Sequence, residues 1–253
     1  MDDRLVLSEH RGRVALLALN RPEARNAVNR ELAEAICSAV EEAQQAAAIV
    51  ITGADPAFCA GLDLRDVGVD RLSEMPSFIG AVASSETPVI AAVNGPAVTG
   101  GLELALAADF IVASERAVFA DTHVRVGVYP GPGLVDLPWR VGPAWAREMS
   151  MTGDFVDAGT ALRVGWGNHV VAQDDTVPLA RRLATSIAEG DRAMIRTMRV
   201  DWDPNVGTAL DEGRRIHEEH AARGRYRWAA TRAVITNHRD QVLARERAQQ
   251  SRS

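Results

Sequence analysis

Two short segments place glycine where an apolar run gives way to a helical pattern. One is Ala57-Phe58-Cys59-Ala60-Gly61-Leu62-Asp63-Leu64, and the other is Asn94-Gly95-Pro96-Ala97-Val98-Thr99-Gly100-Gly101-Leu102-Glu103-Leu104. The start of a helix leaves backbone N–H groups without intrahelical partners and carries a partial positive charge. Glycine there lets a ligand come close to the backbone. Two such turns, converging from neighbouring strands, can aim two N–H donors at one carbonyl oxygen. That is an oxyanion hole, suited to a reaction that builds negative charge on that oxygen. Either turn alone is an ordinary feature of α/β folds.

Other chemistries find little support. All 28 basic residues are arginine, which excludes a Schiff-base lysine, a lysine base and a P-loop lysine. Cys37 and Cys59 allow one bridge at most, so neither a disulfide scaffold nor a cysteine-rich zinc module is present. Cys59, between Phe58 and Ala60, reads as a small packed residue rather than a nucleophile. His217-Glu218-Glu219-His220 has histidines at i, i+3, whereas the zinc-protease helix needs i, i+4, so a solvated charged face is the reading and no metal site is expected. Neither a Gly-x-Ser-x-Gly elbow nor a strand-borne Gly-x-Gly-x-x-Gly occurs. Arg223, Arg225, Arg227 and Arg232, interleaved with Tyr226 and Trp228, read as another solvated face. A net charge of −6 argues against nucleic acid as a partner.

The elements that position the two turns alternate in type. Val14–Leu19 reads as a strand ending at Arg21-Pro22, and Asn29 to Gln45 as a helix with Asn29 as a cap. Ala48–Thr52 is a buried strand, Ser73 to Ser85 a helix, and Val89–Val93 a strand stopped by Asn94-Gly95-Pro96. Gly100 to Ala108 is a helix, followed by strands at Phe110–Val112 and Ala117–Ala120. This alternation implies an α/β fold with parallel crossovers. From Thr176 the pattern turns helical: Thr176–Glu189, Asp191–Val200, Val206–Ala222 and a last segment to about Ala248. The expected organisation is an α/β core over 1–175 and a helical region over 176–253. Scattered charge over Met1–Arg13 gives no signal-peptide pattern, and Leu102–Ala113, interrupted by Glu103 and Asp109, is too short to cross a bilayer. A cytoplasmic protein without a membrane partner is the expectation.

Taken together and in order, these segments resemble the crotonase (enoyl-CoA hydratase/isomerase) family. The resemblance begins at Leu-Asn-Arg-Pro-Glu-Ala-Arg-Asn-Ala-Val-Asn, ending at Asn29. It runs through Ile51 to Leu64, Pro88 to Asp109 and Gly127-Val-Tyr-Pro-Gly, and returns at Met151-Thr-Gly-Asp and Asp157-Ala, covering about two-thirds of the chain. It implies a spiral of ββα turns with a C-terminal helical region used in trimer formation. It implies an acyl-CoA substrate, no cofactor beyond that coenzyme A, and a homo-trimer or dimer of trimers. By motif, the oxyanion-hole N–H groups fall on Leu62 and Gly100. Coenzyme A would lie along the turn from Arg25 to Ala27 and the backbone of Ala60, Gly61 and Asp63. Glu103 falls on the first of two hydratase glutamates, three residues after Gly100 on the same rigid turn.

The second glutamate position, twenty residues on, is His123. The implied reaction is hydration of a 2-enoyl-CoA to a 3-hydroxyacyl-CoA, with His123 standing in for a carboxylate. Alternatives are enoyl-CoA isomerisation or thioester hydrolysis using His123, or a non-catalytic acyl-CoA-binding or assembly subunit. Pro130 to Arg140 also departs from the family, one residue shorter and carrying Asp136. Asp136 could orient His123, but a helix-start aspartate favoured by the dipole is preferred.

Overall fold

The structure, a computed structural model, describes residues 3–63, 65, 75–199, 211–212 and 214–215. Five consecutive partners in one sheet run parallel: β2 (Val14–Leu19), β3 (Ala48–Gly53), β4 (Val89–Val93), β6 (Phe110–Ser114) and β9 (His169–Val171). β1 (Val6–Arg11) adds an antiparallel edge through a two-residue turn at Gly12-Arg13. The sequence pattern did not single out β1, because its residues from Ser8 to Arg11 are exposed and polar, as suits an edge strand. β3 and β4 are buried along their whole length, so they read as unbroken apolar runs rather than as alternating patterns.

The two sheet faces are covered by different helices. Ile49, Ile51, Ala91, Val93 and Ile111 share a cluster with Leu32, Ile36 and Val40 of α1 (Arg30–Glu42). The side chain of Asn29 accepts the Leu32 N–H at 3.0 Å and caps α1, a contact worth about 1 kcal/mol. Val50, Ile90, Ala92 and Val112 face the other way, against Ala180, Ala184 and Ala188 of α7 (Thr176–Glu189). Their four-residue spacing puts one stripe of small side chains against the strands. α7 therefore shares a core with the sheet. Helical structure continues over 192–199; most of the expected tail beyond it lies outside the described residues, as do the His217–His220 pair and the run of arginines.

A smaller sheet joins β5 (Ala97–Val98), β7 (Val118–Ala120) and β8 (Val156–Asp157) in that order. The registers explain the spiral. Twice the chain sends one strand into the large sheet and then a short one into the small sheet before a helix, at β4–β5 and at β6–β7. Cys59 bridges Ala97, and Ala97 pairs Phe119, so successive turns stack in parallel. α3 (Gly100–Leu106) follows β5, and α4 (His123–Val126) follows β7. α2 (Phe78–Ala83), capped by Ser77, is shorter than the Ser73–Ser85 expectation, and residues 75–77 are not helical. α5 spans Gly133–Thr152 with a break at Gly142 before Pro143, and α6 (Ala158–Arg163) leads to β9. Among the described residues, no helix is long and apolar enough to cross a membrane.

Candidate active site

The turn after β2 is built around a buried asparagine. Asn26 has a left-handed backbone (φ 55°), which asparagine tolerates better than most residues. Its Oδ1 accepts the Arg21 N–H at 2.9 Å, while its Nδ2 donates to Ala54 O at 2.8 Å and Ala57 O at 2.7 Å. The Ala60 N–H then donates to Arg25 O at 3.1 Å. Two loops far apart in sequence become one wall.

Leu62 sits at an isolated parallel bridge to Val28. The bonds Val28 N–H to Gly61 O (2.7 Å) and Asp63 N–H to Val28 O (2.9 Å) flank it. The Leu62 N–H therefore points away from Val28. Gly100 is the first residue of α3, so its N–H has no place in the intrahelical ladder. A β-carbon built on Gly100 would lie 3.8 Å from Leu62 N, so the two amides are close neighbours. Gly61 makes this approach possible: its φ is +91°, and a β-carbon there would fall 1.9 Å from Thr99 Oγ1. Thr99 itself holds a positive φ of 48° at the start of α3.

Leu62, Gly100, Glu103 and His123 all line one cavity of about 650 Å³. Arg25, Ala27, Ala60 and Asp63 line it as well; Gly61 does not, and lies behind the wall against Thr99. The Asp63 carboxylate is engaged by Arg21 at 2.7 Å and Arg65 at 3.1 Å. Burial pushes its pKa up, but the hydrogen bonds from Arg65 and Arg21 prevail and bring it down to about 2.

Glu103 is buried on the first turn of α3. Its Oε1 accepts the Gly133 N–H at 3.1 Å. A β-carbon on Gly131 would lie 2.9 Å from that same oxygen, so glycine is needed for the loop to fold over the carboxylate. Burial raises the Glu103 pKa, against the opposing pull of His123 and of the Gly133 and Gly131 amides.

The register Val98↔Ala120, with Thr99 N–H donating to Ala120 O at 2.9 Å, carries Asp121 and His123 to the same place. His123 Nδ1 lies 2.6 Å from Asp121 Oδ1, and Ser150 Oγ donates to Asp121 Oδ2 at 2.5 Å. An ionised carboxylate only accepts, so Nδ1 carries a proton and Nε2 is the ring nitrogen left to exchange one. Burial opposes protonation of His123, but the Asp121 hydrogen bond and the charges of Glu103 and Asp121 outweigh it, and its pKa is raised. For Asp121 burial acts upward, and the His123 and Ser150 hydrogen bonds bring it down. The direction for His123, undecided in the sequence, is set by this second carboxylate.

Residues 9–223 match the family described as Enoyl-CoA hydratase/isomerase. The chain belongs to the enoyl-CoA hydratase/isomerase family. A "Probable enoyl-CoA hydratase" from Rhizobium meliloti is 40% identical over 198 residues, 74% of this chain and 77% of that protein. A similarly named protein from Mycobacterium leprae is 35% identical over 215 residues, 81% of this chain and 83% of the relative. The crystal structure of an enoyl-CoA hydratase from Mycobacterium smegmatis is 40% identical, with a TM-score of 0.70, covering 95% of this chain and 98% of that one. The fold is the crotonase fold of these enoyl-CoA hydratase/isomerase relatives.

Within this family member, sequence reasoning missed Asp121 and Ser150. Asp121 had a readable signal, an acid two residues before a histidine at a strand end; Ser150, from another helix, had none. Asp136 does not orient His123: it lies in the first turn of α5 and pairs with Arg214 at 3.1 Å. Cys59 is fully buried, which pushes its thiol up to about 12, well away from a nucleophile's range.

Proposed function

We propose that this enzyme adds water across the C2–C3 double bond of a 2-enoyl-CoA thioester, giving a 3-hydroxyacyl-CoA. The observation that carries the reading is the placement of two buried, mutually influencing proton carriers, Glu103 and His123, in the cavity that Leu62 and Gly100 line. The names of the relatives agree with it.

Glu103 and His123 hold one water between them and share one dissociable proton. The unprotonated member takes a proton from water as its oxygen bonds to C3. The π electrons move toward the thioester, and the Leu62 and Gly100 N–H groups stabilise the resulting enolate oxygen. The protonated member delivers its proton to C2. One proton is accepted and one returned, so only water is consumed. Coenzyme A lies along Arg25, Ala27, Ala60 and Asp63, with Gly61 behind that wall, and no further cofactor takes part.

The assembly is a homo-trimer or dimer of trimers in the cytoplasm. The exposed apolar side chains of Val124, Trp139 and Met151 support a subunit interface. A monomer by light scattering at micromolar concentration contradicts this.

The carboxylate-backed imidazole favours one second reading, in which His123 alone moves a proton along the acyl chain and shifts the double bond. Product analysis with 2-enoyl-, 3-enoyl- and 3-hydroxyacyl-CoA thioesters separates the two. Interconversion of the 2-enoyl and 3-hydroxy esters is expected. Conversion of the 3-enoyl ester alone, or free coenzyme A as the product, overturns hydration.

A further inference from the structure

We propose that Asp121 and Ser150 are positioning residues of this site, forming with His123 a hydrogen-bonded chain that fixes the imidazole tautomer and sustains its proton-carrying form. The inference rests on the hydration reading, since it concerns how His123 is held for that step. Three observations support it. Both Asp121 oxygens are used, one on His123 Nδ1 at 2.6 Å and one on Ser150 Oγ. Asp121 and His123 are both buried, so solvent does not replace the contact. The chain ends in the cavity, because His123 lines it and Nε2 is the ring nitrogen that the chain leaves free.

The three members come from the turn just after β7, the start of α4, and the last turn of α5. A chain anchored on separate elements cannot rotate as one side chain, which is how a proton carrier is kept at a fixed angle to substrate. The ionisable groups acting on the imidazole are Asp121 beside it and Glu103 from α3. The nearby Arg125 on α4 faces Asp154 instead. Removing the Asp121 charge leaves Glu103 as the only acidic group of the two, and the Glu103–His123 pair then loses its shared proton at lower pH.

The test uses Asp121→Asn, Ser150→Ala, Ser150→Thr and His123→Ala, each assayed with a four-carbon 2-enoyl-CoA across pH, with the His123 ring followed by NMR on histidine-labelled protein. Asp121→Asn keeps an acceptor but loses the charge. Its kcat is expected to fall ~10- to 100-fold, the usual cost of removing a supporting partner, with KM little changed. Its pH–rate profile and the His123 titration both move to lower pH. Ser150→Ala shifts both in the same direction by less, and Ser150→Thr restores them. A wild-type profile and titration in Asp121→Asn, with His123→Ala impaired, overturn the inference and leave hydration standing. Full activity in His123→Ala overturns the role of His123 and this inference with it. Should Asp121→Asn fail to fold, Ser150→Ala decides: an unmoved profile and titration overturn the proposal.

Discussion

Glu103 and Gly133, thirty residues apart, are joined by a 3.1 Å hydrogen bond from the glycine N–H to the carboxylate. The first residue of α5 thus fixes the acid on the first turn of α3. Arg140, further along α5, reinforces the same packing by donating to Ala108 O at 2.6 Å, just past the end of α3. A β-carbon on Gly133 would lie 2.9 Å from Glu103 Cγ and 3.0 Å from Oε1. Gly133→Ala is expected to displace the carboxylate and lower kcat by about 100-fold, as small misplacements of a reacting group do. Steady-state kinetics, with circular dichroism to verify folding, check it; unchanged kcat contradicts it.

Glu103→Gln keeps shape but removes proton transfer. Its rate should drop by roughly 10²–10⁴-fold, with little change in affinity for a substrate analogue. Full hydration activity in this variant would sink the assignment of Glu103.

Gly61→Ala tests the proposed oxyanion hole from behind. The new methyl would meet Thr99 Oγ1 and Val98 O, at a φ of +91° that alanine rarely adopts. Relief must move Leu62 relative to Gly100. The expected result is a loss of stability of about 1–3 kcal/mol and a fall in kcat of about 10²-fold or more. Melting and kinetics together read both; a variant as stable and as fast as wild type refutes the geometry.

His123 also contributes to stability with a definite sign. Its folded pKa is raised, so the stabilisation is fully present below the unfolded value of about 6.5 and is lost as pH rises through the folded one. The melting-temperature gap between wild type and His123→Ala should therefore narrow with rising pH. A gap that widens instead contradicts the pairing with Asp121.

Asp63 behaves oppositely. Held near 2 by Arg65 and Arg21, below the usual 3.8, it stabilises above the usual value and loses that contribution as pH falls toward 2. Asp63→Asn should melt below wild type at neutral pH, and the two should converge on acidification. Parallel curves at all pH values would show that the ion pairs add nothing.

Much of the frame was legible in the chain because its signals are local. The apolar runs of β3 and β4 end at breakers, Asn29 caps α1, and α7 runs from Thr176 to Glu189 as its pattern implied. The glycine turns before Leu62 and Gly100 were readable for the same reason: a positive φ or a helix start constrains residue type in place. Long-range relationships left weaker marks. Asp136 read as a helix-start aspartate and does lie in the first turn of α5, but Pro138, Pro143 and the break at Gly142 hid the extent of that helix, which supplies both Gly133 and Ser150. Sequence by itself determined the candidates for the chemistry, a glutamate and a histidine twenty positions apart behind two glycine turns. Only the tertiary structure decided the partner of that histidine. A polar side chain buried with a charge must find whichever partner the strand register brings within hydrogen-bond reach, and the pairing of β5 with β7 brings Asp121 and His123 to the wall that holds Glu103.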